Sequence, residues 1–208
     1  SLEYFEKAVS FARKYDVVLL HDACYTEVAY DNYRPHSLLE IPGSKEIAVE
    51  FHSLSKSYNM TGWRIGMAVG NEEIIQALFK VKSNLDSGVA QAVQKMGIEA
   101  LKWPEAATKA RNDIYQVRRD KVVKVLNHIG LHVSPPQASL YIWTKVPDGF
   151  SSAQFATALL DELDIVVTPG SSYGKFGEGY IRLSLTLSDE DVDEAVRRIN
   201  SWEIPDLI

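Results

Sequence analysis

The stretch of sequence that decides the fold is Ile47-Ala48-Val49-Glu50-Phe51-His52-Ser53-Leu54-Ser55-Lys56. Its first five residues form a short, mostly apolar run, which is typical of a strand buried on both faces of a parallel sheet. Polar residues follow the run, and ligands of open parallel sheets collect at the carboxyl ends of the strands. The stretch therefore predicts an α/β fold with a binding site beside Lys56.

Two further apolar runs, Val17–Leu20 and Ile65–Val69, predict neighbouring strands of the same kind. Apolar residues at helical spacing precede the first run, and Asn71 is placed to cap a helix after the last one. Another helix is expected over about 89–101. Strands that alternate with helices over residues 1–103 predict an α/β domain.

The pattern changes near Pro104, which is expected to be the first residue of a long helix that ends before Gly130. Short strands and two helices alternate after it. The expected strands are 131–133, 139–144, 165–168 and 180–185. The two helices are expected to begin at capping boxes, which are Ser151 with Gln154 and Ser188 with Asp191. Residues 104–208 therefore predict a bridging helix and a small α+β domain.

Composition and charge argue against several classes of function. The formal net charge is −6 and no basic stripe is present, which disfavours nucleic-acid binding. The only cysteine is Cys24 and the five histidines are scattered, so neither a disulfide nor a Cys/His metal cluster is expected. No apolar run reaches the about 18 residues of a membrane span, and the first residues lack a signal-peptide pattern. We expect a cytoplasmic protein that binds no metal, nucleic acid or membrane.

The residues at the predicted strand ends fit one kind of chemistry. A lysine just past a buried strand, between hydroxyl groups, is typical of a nucleophile, and Lys56 is such a residue. Arg64 is near enough in sequence to turn back, and with Ser53 and Ser55 it could hold a phosphate. Asp22 adds a carboxylate from the neighbouring strand end. A lysine, a phosphate cradle and a carboxylate are the groups that pyridoxal 5′-phosphate requires.

Three blocks of the sequence resemble a known family. Ser53–Gly66 closely resembles the lysine motif of class I/II aminotransferases, which are pyridoxal-phosphate enzymes of fold type I. Asp22-Ala23-Cys24-Tyr25 is similar to the upstream motif of that family. Pro169-Gly170 and Gly177–Ser184 are similar to its C-terminal arginine motif, and the blocks follow the family order. The lysine motif is most similar to the branch of LL-diaminopimelate and aspartate aminotransferases.

The resemblance implies a role for each site residue. Lys56 would hold the cofactor as a Schiff base and move the substrate proton, and Asp22 would pair with the pyridine nitrogen. Tyr25 would donate to the phenolic oxygen of the cofactor, and Arg182 would bind the substrate carboxylate. The implied phosphate ligands are Ser53, Ser55 and Arg64. His21 and His52, which precede these motifs, are interpreted as supporting residues, and Trp63 and Tyr141 as core residues.

The resemblance also implies the fold and the partners. Residues 1–103 would be part of the large cofactor-binding domain, with a mainly parallel sheet, and residues 104–208 the bridging helix and small C-terminal domain. Only the C-terminal half of a family member is matched, so this fragment is expected to be inactive alone and its parent to be a homodimer. The implied substrates are an amino acid and a 2-oxo acid. Two alternatives remain, a β-lyase or synthase of the same fold and a non-catalytic sensor module of a regulator.

Overall fold

The computed structural model describes residues 1–205, which form two compact units. The first unit comprises Ser1–Lys109, and the second begins at Ala110. The division falls in the first turns of a long helix, α5 (Glu105–His128). The domain change expected at residue 104 stays a prediction, and residues 206–208 of the expected second domain lie outside the described residues.

The first unit contains a three-stranded sheet. Its strands, in spatial order, are β1 (Leu19–Asp22), β2 (Ala48–Ser53) and β3 (Gly66–Gly70). β1 and β2 are parallel, with Asp22 opposite Phe51, whereas β3 runs antiparallel to β2, with Gly66 opposite Ser53. The carboxyl ends of β1 and β2 therefore lie side by side at the same end of the sheet, which is called its carboxyl edge below.

Four helices accompany this sheet, and the first three begin at the capping residues Ser1, Ser53 and Asn71. They are α1 (Leu2–Tyr15), the short α2 (Leu54–Ser57), α3 (Glu72–Leu85) and α4 (Gln91–Leu101). The side chain of Asn71 accepts a hydrogen bond of 2.9 Å from the backbone of Ile74, so the predicted cap of α3 is confirmed. α1 packs on the sheet through Val9, which is buried with residues of the neighbouring loops and strand, namely Leu38, Ile41 and Ala48.

β1 is packed on one face only, and the prediction of a strand buried on both faces is wrong for it. Leu20 is 61% exposed, whereas Leu19 packs against the cluster beneath α1. Successive side chains of a strand point to opposite faces, so packing on one face leaves alternate residues uncovered. The strand also begins later than the apolar run, because Val17 and Val18 precede it and are exposed.

The second unit is an antiparallel sheet with packed helices. Its elements after α5 are β4 (Tyr141–Lys145), α6 (Ser152–Leu163), β5 (Thr168–Pro169), β6 (Tyr180–Ser184) and α7 (Asp189–Asn200). β6 lies between β4 and β5. Both predicted helix starts are confirmed, because Ser151 and Ser188 cap α6 and α7. The core includes Leu126, Ile142, Phe155, Leu159 and Ile181.

The strand expected over Leu131–Val133 is not formed, and that prediction is wrong. The backbone of Val133 instead exchanges two hydrogen bonds with the side-chain amide of Asn127, at 2.6 and 3.0 Å. These bonds satisfy polar backbone groups that a strand would have paired with a neighbouring strand. The segment follows the end of α5 as irregular chain, and β4 begins at Tyr141.

Candidate active site

The ends of β1 and β2 carry the predicted site residues of the first unit. The pairing continues one residue beyond β1, because the amide of Ala23 donates to the carbonyl of Phe51 at 2.8 Å. The carboxylate of Asp22 then accepts from the amide of Cys24 at 3.2 Å, which turns the chain sharply after the strand. β2 delivers Lys56 to the same edge through the single turn of α2.

Asp22 and Lys56 both act on the thiol of Cys24. Burial raises the pKa of the Cys24 thiol to about 11, and a hydrogen bond and the negative charge of Asp22 act in the same direction. The positive charge of Lys56 acts in the opposite direction on the same thiol. Cys24 therefore stays a protonated thiol at neutral pH, hydrogen-bonded to Asp22 and within the electrostatic reach of Lys56.

Tyr25 completes this group of residues. The amine nitrogen of Lys56 lies 5.9 Å from the centre of the Tyr25 ring. This distance is at the outer limit of about 6 Å for a cation–π contact. The structure thus brings together Asp22, Tyr25 and Lys56, the three residues that the sequence resemblance marks as catalytic.

The loop around Lys56 closes on itself. The hydroxyl of Ser53 accepts from the amide of Ser55 at 3.2 Å and caps α2. The carbonyl of Ser55 accepts from the hydroxyl of Thr61 at 3.1 Å, and Ser55 as a whole is 5% exposed. Ser53 is therefore the more accessible of the two expected phosphate ligands. Trp63 is 49% exposed in this chain, so its interpretation as a core residue is wrong.

Arg64 has a strained backbone at the end of this loop. Its φ of 51° and ψ of 51° lie in the left-handed region, which costs a residue other than glycine about 1–2 kcal/mol. Its guanidinium turns back and donates to the carbonyl of Thr61 at 2.9 Å. Asp16 and Asp164 adopt the same conformation at the ends of α1 and α6, so the expected role of Arg64 as a phosphate ligand stays a prediction.

Arg182 lies in the second unit, on β6, against two aromatic rings. Its guanidinium carbon is 4.1 Å from the ring centre of Tyr141 and 4.8 Å from that of Tyr173. Trp143 pairs with Arg182 across the strands, and its ring contacts the ring of Tyr173. Such ring contacts restrict a planar guanidinium, whose N–H groups match a carboxylate in pairs.

Two of these aromatic residues were not expected near the site. Tyr141 is half-buried beside Arg182, so its interpretation as a core residue is corrected. Tyr173 was missed, although it follows the Pro169-Gly170 motif closely. The contact of Tyr173 with Arg182 depends on the tertiary structure, and hydrophobic periodicity does not reveal it.

The loop that leads into β6 is held by Ser152 at the start of α6. Its buried hydroxyl accepts from the amides of Gly179 and Tyr180, at 2.8 and 3.2 Å. Hydrogen bonds from the backbone amides of Ser152 and Gly179 to the carboxylate of Glu178 lower the pKa of that group. A Cβ on Gly177 would lie 2.0 Å from the carbonyl oxygen of Gly170. Two backbone segments therefore approach each other here so closely that only glycine fits.

Residues 1–205 contain no group of three or more histidine, cysteine or acidic residues that could hold a metal ion. Within the same residues, every helix is too short or too polar to cross a membrane.

Comparison with known proteins identifies the family. The profile of the family described as aminotransferase class I and II matches residues 1–199. The chain belongs to this family. Among curated relatives, the chain is 53% identical over 202 residues to an LL-diaminopimelate aminotransferase of Dehalococcoides mccartyi. It is also 53% identical over 199 residues to LL-diaminopimelate aminotransferase 2 of a Nostoc species.

Solved structures confirm the α/β fold class of the chain. Apo-BacF from Bacillus subtilis has a TM-score of 0.91 and 33% identity, over 99% of this chain and 52% of that one. A probable N-succinyldiaminopimelate aminotransferase from Thermus thermophilus has a TM-score of 0.89 and 36% identity, over 96% and 54%. The two curated relatives are covered over 52% and 51% of their length, by 97% and 96% of this chain. The chain thus spans about half the length of the relatives it matches.

Proposed function

We propose that the protein containing this chain is a pyridoxal 5′-phosphate-dependent aminotransferase, which moves an amino group between an amino acid and a 2-oxo acid. The observation that carries the proposal is the grouping of Asp22, Tyr25 and Lys56 at the common carboxyl edge of β1 and β2. Ligands of open α/β sheets bind at this edge.

The donor set at this edge fits the cofactor. Lys56 offers a primary amine, Asp22 a carboxylate, and Ser53 and Arg64 a hydroxyl and a guanidinium for the phosphate. When bound, pyridoxal 5′-phosphate supplies an electron sink for the charge that forms on the substrate α-carbon. Ser55, whose side chain is buried, is proposed as a weaker phosphate contact.

The three grouped residues are assigned separate tasks. The Nζ atom of Lys56 binds the cofactor and later accepts and returns the proton of the substrate α-carbon. The carboxylate of Asp22 holds a proton on the pyridine nitrogen, which keeps the ring electron-poor. The hydroxyl of Tyr25 donates a hydrogen bond to the phenolic oxygen.

Arg182 is proposed to bind the α-carboxylate of the substrate. The proposal rests on its sequence motif and on its own surroundings, where the rings of Tyr141 and Tyr173 restrict the guanidinium. A restricted guanidinium loses less entropy when it binds a carboxylate through two parallel hydrogen bonds.

LL-diaminopimelate is proposed as the amino donor, because curated relatives with that activity in their names are 53% identical to this chain. A homodimer and a cytoplasmic location are likewise proposed for the whole protein. The 208 residues alone are expected to show no turnover, since they span about half the length of those relatives.

The test uses the natural polypeptide that contains these 208 residues. It is loaded with pyridoxal 5′-phosphate and supplied with LL-diaminopimelate and 2-oxoglutarate, and glutamate formation is measured. Glutamate that depends on both substrates and is lost in Lys56→Ala supports the proposal. Release of ammonia or pyruvate without a 2-oxo acid would favour a lyase, and cofactor binding without turnover would favour a sensor module.

A further inference from the structure

Glu50 is a buried carboxylate in the middle of β2, and only 2% of the residue is exposed. One carboxylate oxygen lies 2.7 Å from Nε2 of His52, and the other lies 2.9 Å from Nδ1 of His21. The hydroxyl of Ser37 donates to it at 2.9 Å, and so does the backbone amide of Leu38, also at 2.9 Å. A charged residue within an apolar run is the sequence signal for this network.

The network holds Glu50 in its ionised form. Burial acts to raise the pKa of Glu50, but hydrogen bonds from His21, Ser37 and Leu38 outweigh it, and the pKa falls below its usual value. An ionised carboxylate only accepts hydrogen bonds, so the ring nitrogens of His21 and His52 that face it carry protons. The buried charge is therefore fully engaged by donors from both strands and from the preceding loop.

The positions of the two histidines connect this network to the candidate site. His21 directly precedes Asp22 at the end of β1, and His52 directly precedes Ser53 at the end of β2. Side chains alternate along a strand, so the histidines point to the face opposite that of Asp22 and Ser53. On that opposite face, the ring of Phe5 from α1 packs edge-on against His21, at 5.0 Å between ring centres.

A purely structural role does not account for a charge at this point of the sheet. Replacing a buried ionic group by a well-packed apolar side chain is often neutral or stabilising. A carboxylate with donors on two strands does what an apolar side chain cannot, because hydrogen bonds fix direction and register as well as distance. Glu50 joins the two strand ends that carry the proposed cofactor-binding residues.

We propose that Glu50 is a positioning residue, which sets the ends of β1 and β2 through His21 and His52 and so places Asp22 and Lys56 for the cofactor. This inference rests on the proposed function. Removing the charge, or the donor of either histidine, loosens one strand end relative to the other. The expected consequence is weaker cofactor binding while the fold is retained.

The experiment measures the equilibrium dissociation constant for pyridoxal 5′-phosphate in the natural polypeptide and four variants. Glu50→Gln removes the charge, and His52→Leu removes a donor. His52→Gln restores an N–H donor near the Nε2 position. The matched control is Glu46→Gln, which removes an exposed carboxylate paired with Arg13 at 3.0 Å. Near-ultraviolet circular dichroism records whether each variant keeps its tertiary structure.

Glu50→Gln and His52→Leu are expected to weaken cofactor binding by about tenfold or more, as for loss of a hydrogen bond to a charged group. His52→Gln and Glu46→Gln are expected to stay within about twofold of the unaltered protein. If Glu50→Gln does not fold, the comparison of His52→Leu with His52→Gln decides the question.

Two failures can be told apart. An unaltered protein that does not bind pyridoxal 5′-phosphate would overturn the proposed function. An unaltered protein that binds it, together with His52→Leu and folded Glu50→Gln variants that bind as tightly as Glu46→Gln, would overturn only the positioning role of Glu50.

Discussion

The amine nitrogen of Lys56 lies 5.9 Å from the centre of the Tyr25 ring, which places the proposed nucleophile beside a phenol. Tyr25→Phe keeps that ring but removes its hydroxyl. Without this donor, the phenolic oxygen of a bound cofactor would attract the proton on the Nζ atom of Lys56 more strongly. That proton should therefore persist to higher pH. We expect the midpoint of a pH titration of the bound cofactor's absorbance to rise, and kcat/KM at neutral pH to fall by about tenfold. An unchanged midpoint would contradict the proposed hydrogen bond from the Tyr25 hydroxyl to the cofactor. Tyr58→Phe, which removes another tyrosine hydroxyl, is the control.

The aromatic contacts of Arg182 give a prediction about substrate binding. Arg182→Lys replaces a planar fork by a point charge, and we expect kcat/KM for amino acid substrates to fall by roughly hundredfold. Tyr173→Leu should raise KM by a few-fold, because a cation–π contact at a partly exposed site is worth about 0.5–1 kcal/mol. Steady-state kinetics measure both effects. Tyr173→Phe keeps the ring and should match the unaltered protein; a large rise in its KM would mean that the hydroxyl acts instead.

The lowered pKa of Glu50 predicts a dependence of stability on pH. A carboxylate whose pKa is lower in the folded than in the unfolded state adds stability above the unfolded pKa. That stability is lost as the pH falls from the unfolded value, near 4.5, through the folded one. Urea unfolding of the natural polypeptide should show this loss, and the profile of Glu50→Gln should be flatter over the same range.

At neutral pH, Glu50→Gln should lower the free energy of unfolding by about 1–3 kcal/mol, since buried donors lose a charged acceptor. The Glu46→Gln variant controls for loss of a carboxylate as such. Parallel pH profiles for Glu50→Gln and the unaltered protein would show that the charge on Glu50 does not stabilise the fold.

The close backbone approach of Gly177 and Gly170 predicts that a larger residue at position 177 lowers stability. A Cβ there would lie 2.0 Å from the carbonyl oxygen of Gly170, and the backbone cannot give way cheaply. Gly177→Ala should lower the free energy of unfolding by about 1–3 kcal/mol, as overpacking does. Gly62→Ala has open space around the added carbon and is the control, with an expected change within about 0.5 kcal/mol. Equal effects in urea unfolding would refute the steric account.

Local signals in the sequence were enough for much of this fold. The caps Asn71, Ser151 and Ser188 and the polar residues after β2 act over a few neighbouring positions, so the sequence alone reveals them. The lysine loop was likewise predicted from one continuous motif, and its site roles stay a prediction, although the structure does place the ring of Tyr25 near Lys56.

The features that were missed depend on contacts that hydrophobic periodicity does not encode. An apolar run such as Val17–Leu20 does not say which of its faces will be covered, and Leu20 is exposed. The backbone of Val133 is paired by the side chain of Asn127, which removed an expected strand. The network of Glu50 and the contact of Tyr173 with Arg182 likewise need tertiary structure, because no local period relates their members.

The most direct test of the account is to find which lysine holds the cofactor. The natural polypeptide is incubated with pyridoxal 5′-phosphate, reduced with borohydride and digested, and the labelled peptide is identified by mass spectrometry. The account predicts a label on Lys56, with no label at any site in Lys56→Ala and no loss of label in the surface variant Lys145→Ala. Stoichiometric label on another lysine, or label that persists in Lys56→Ala, would contradict it.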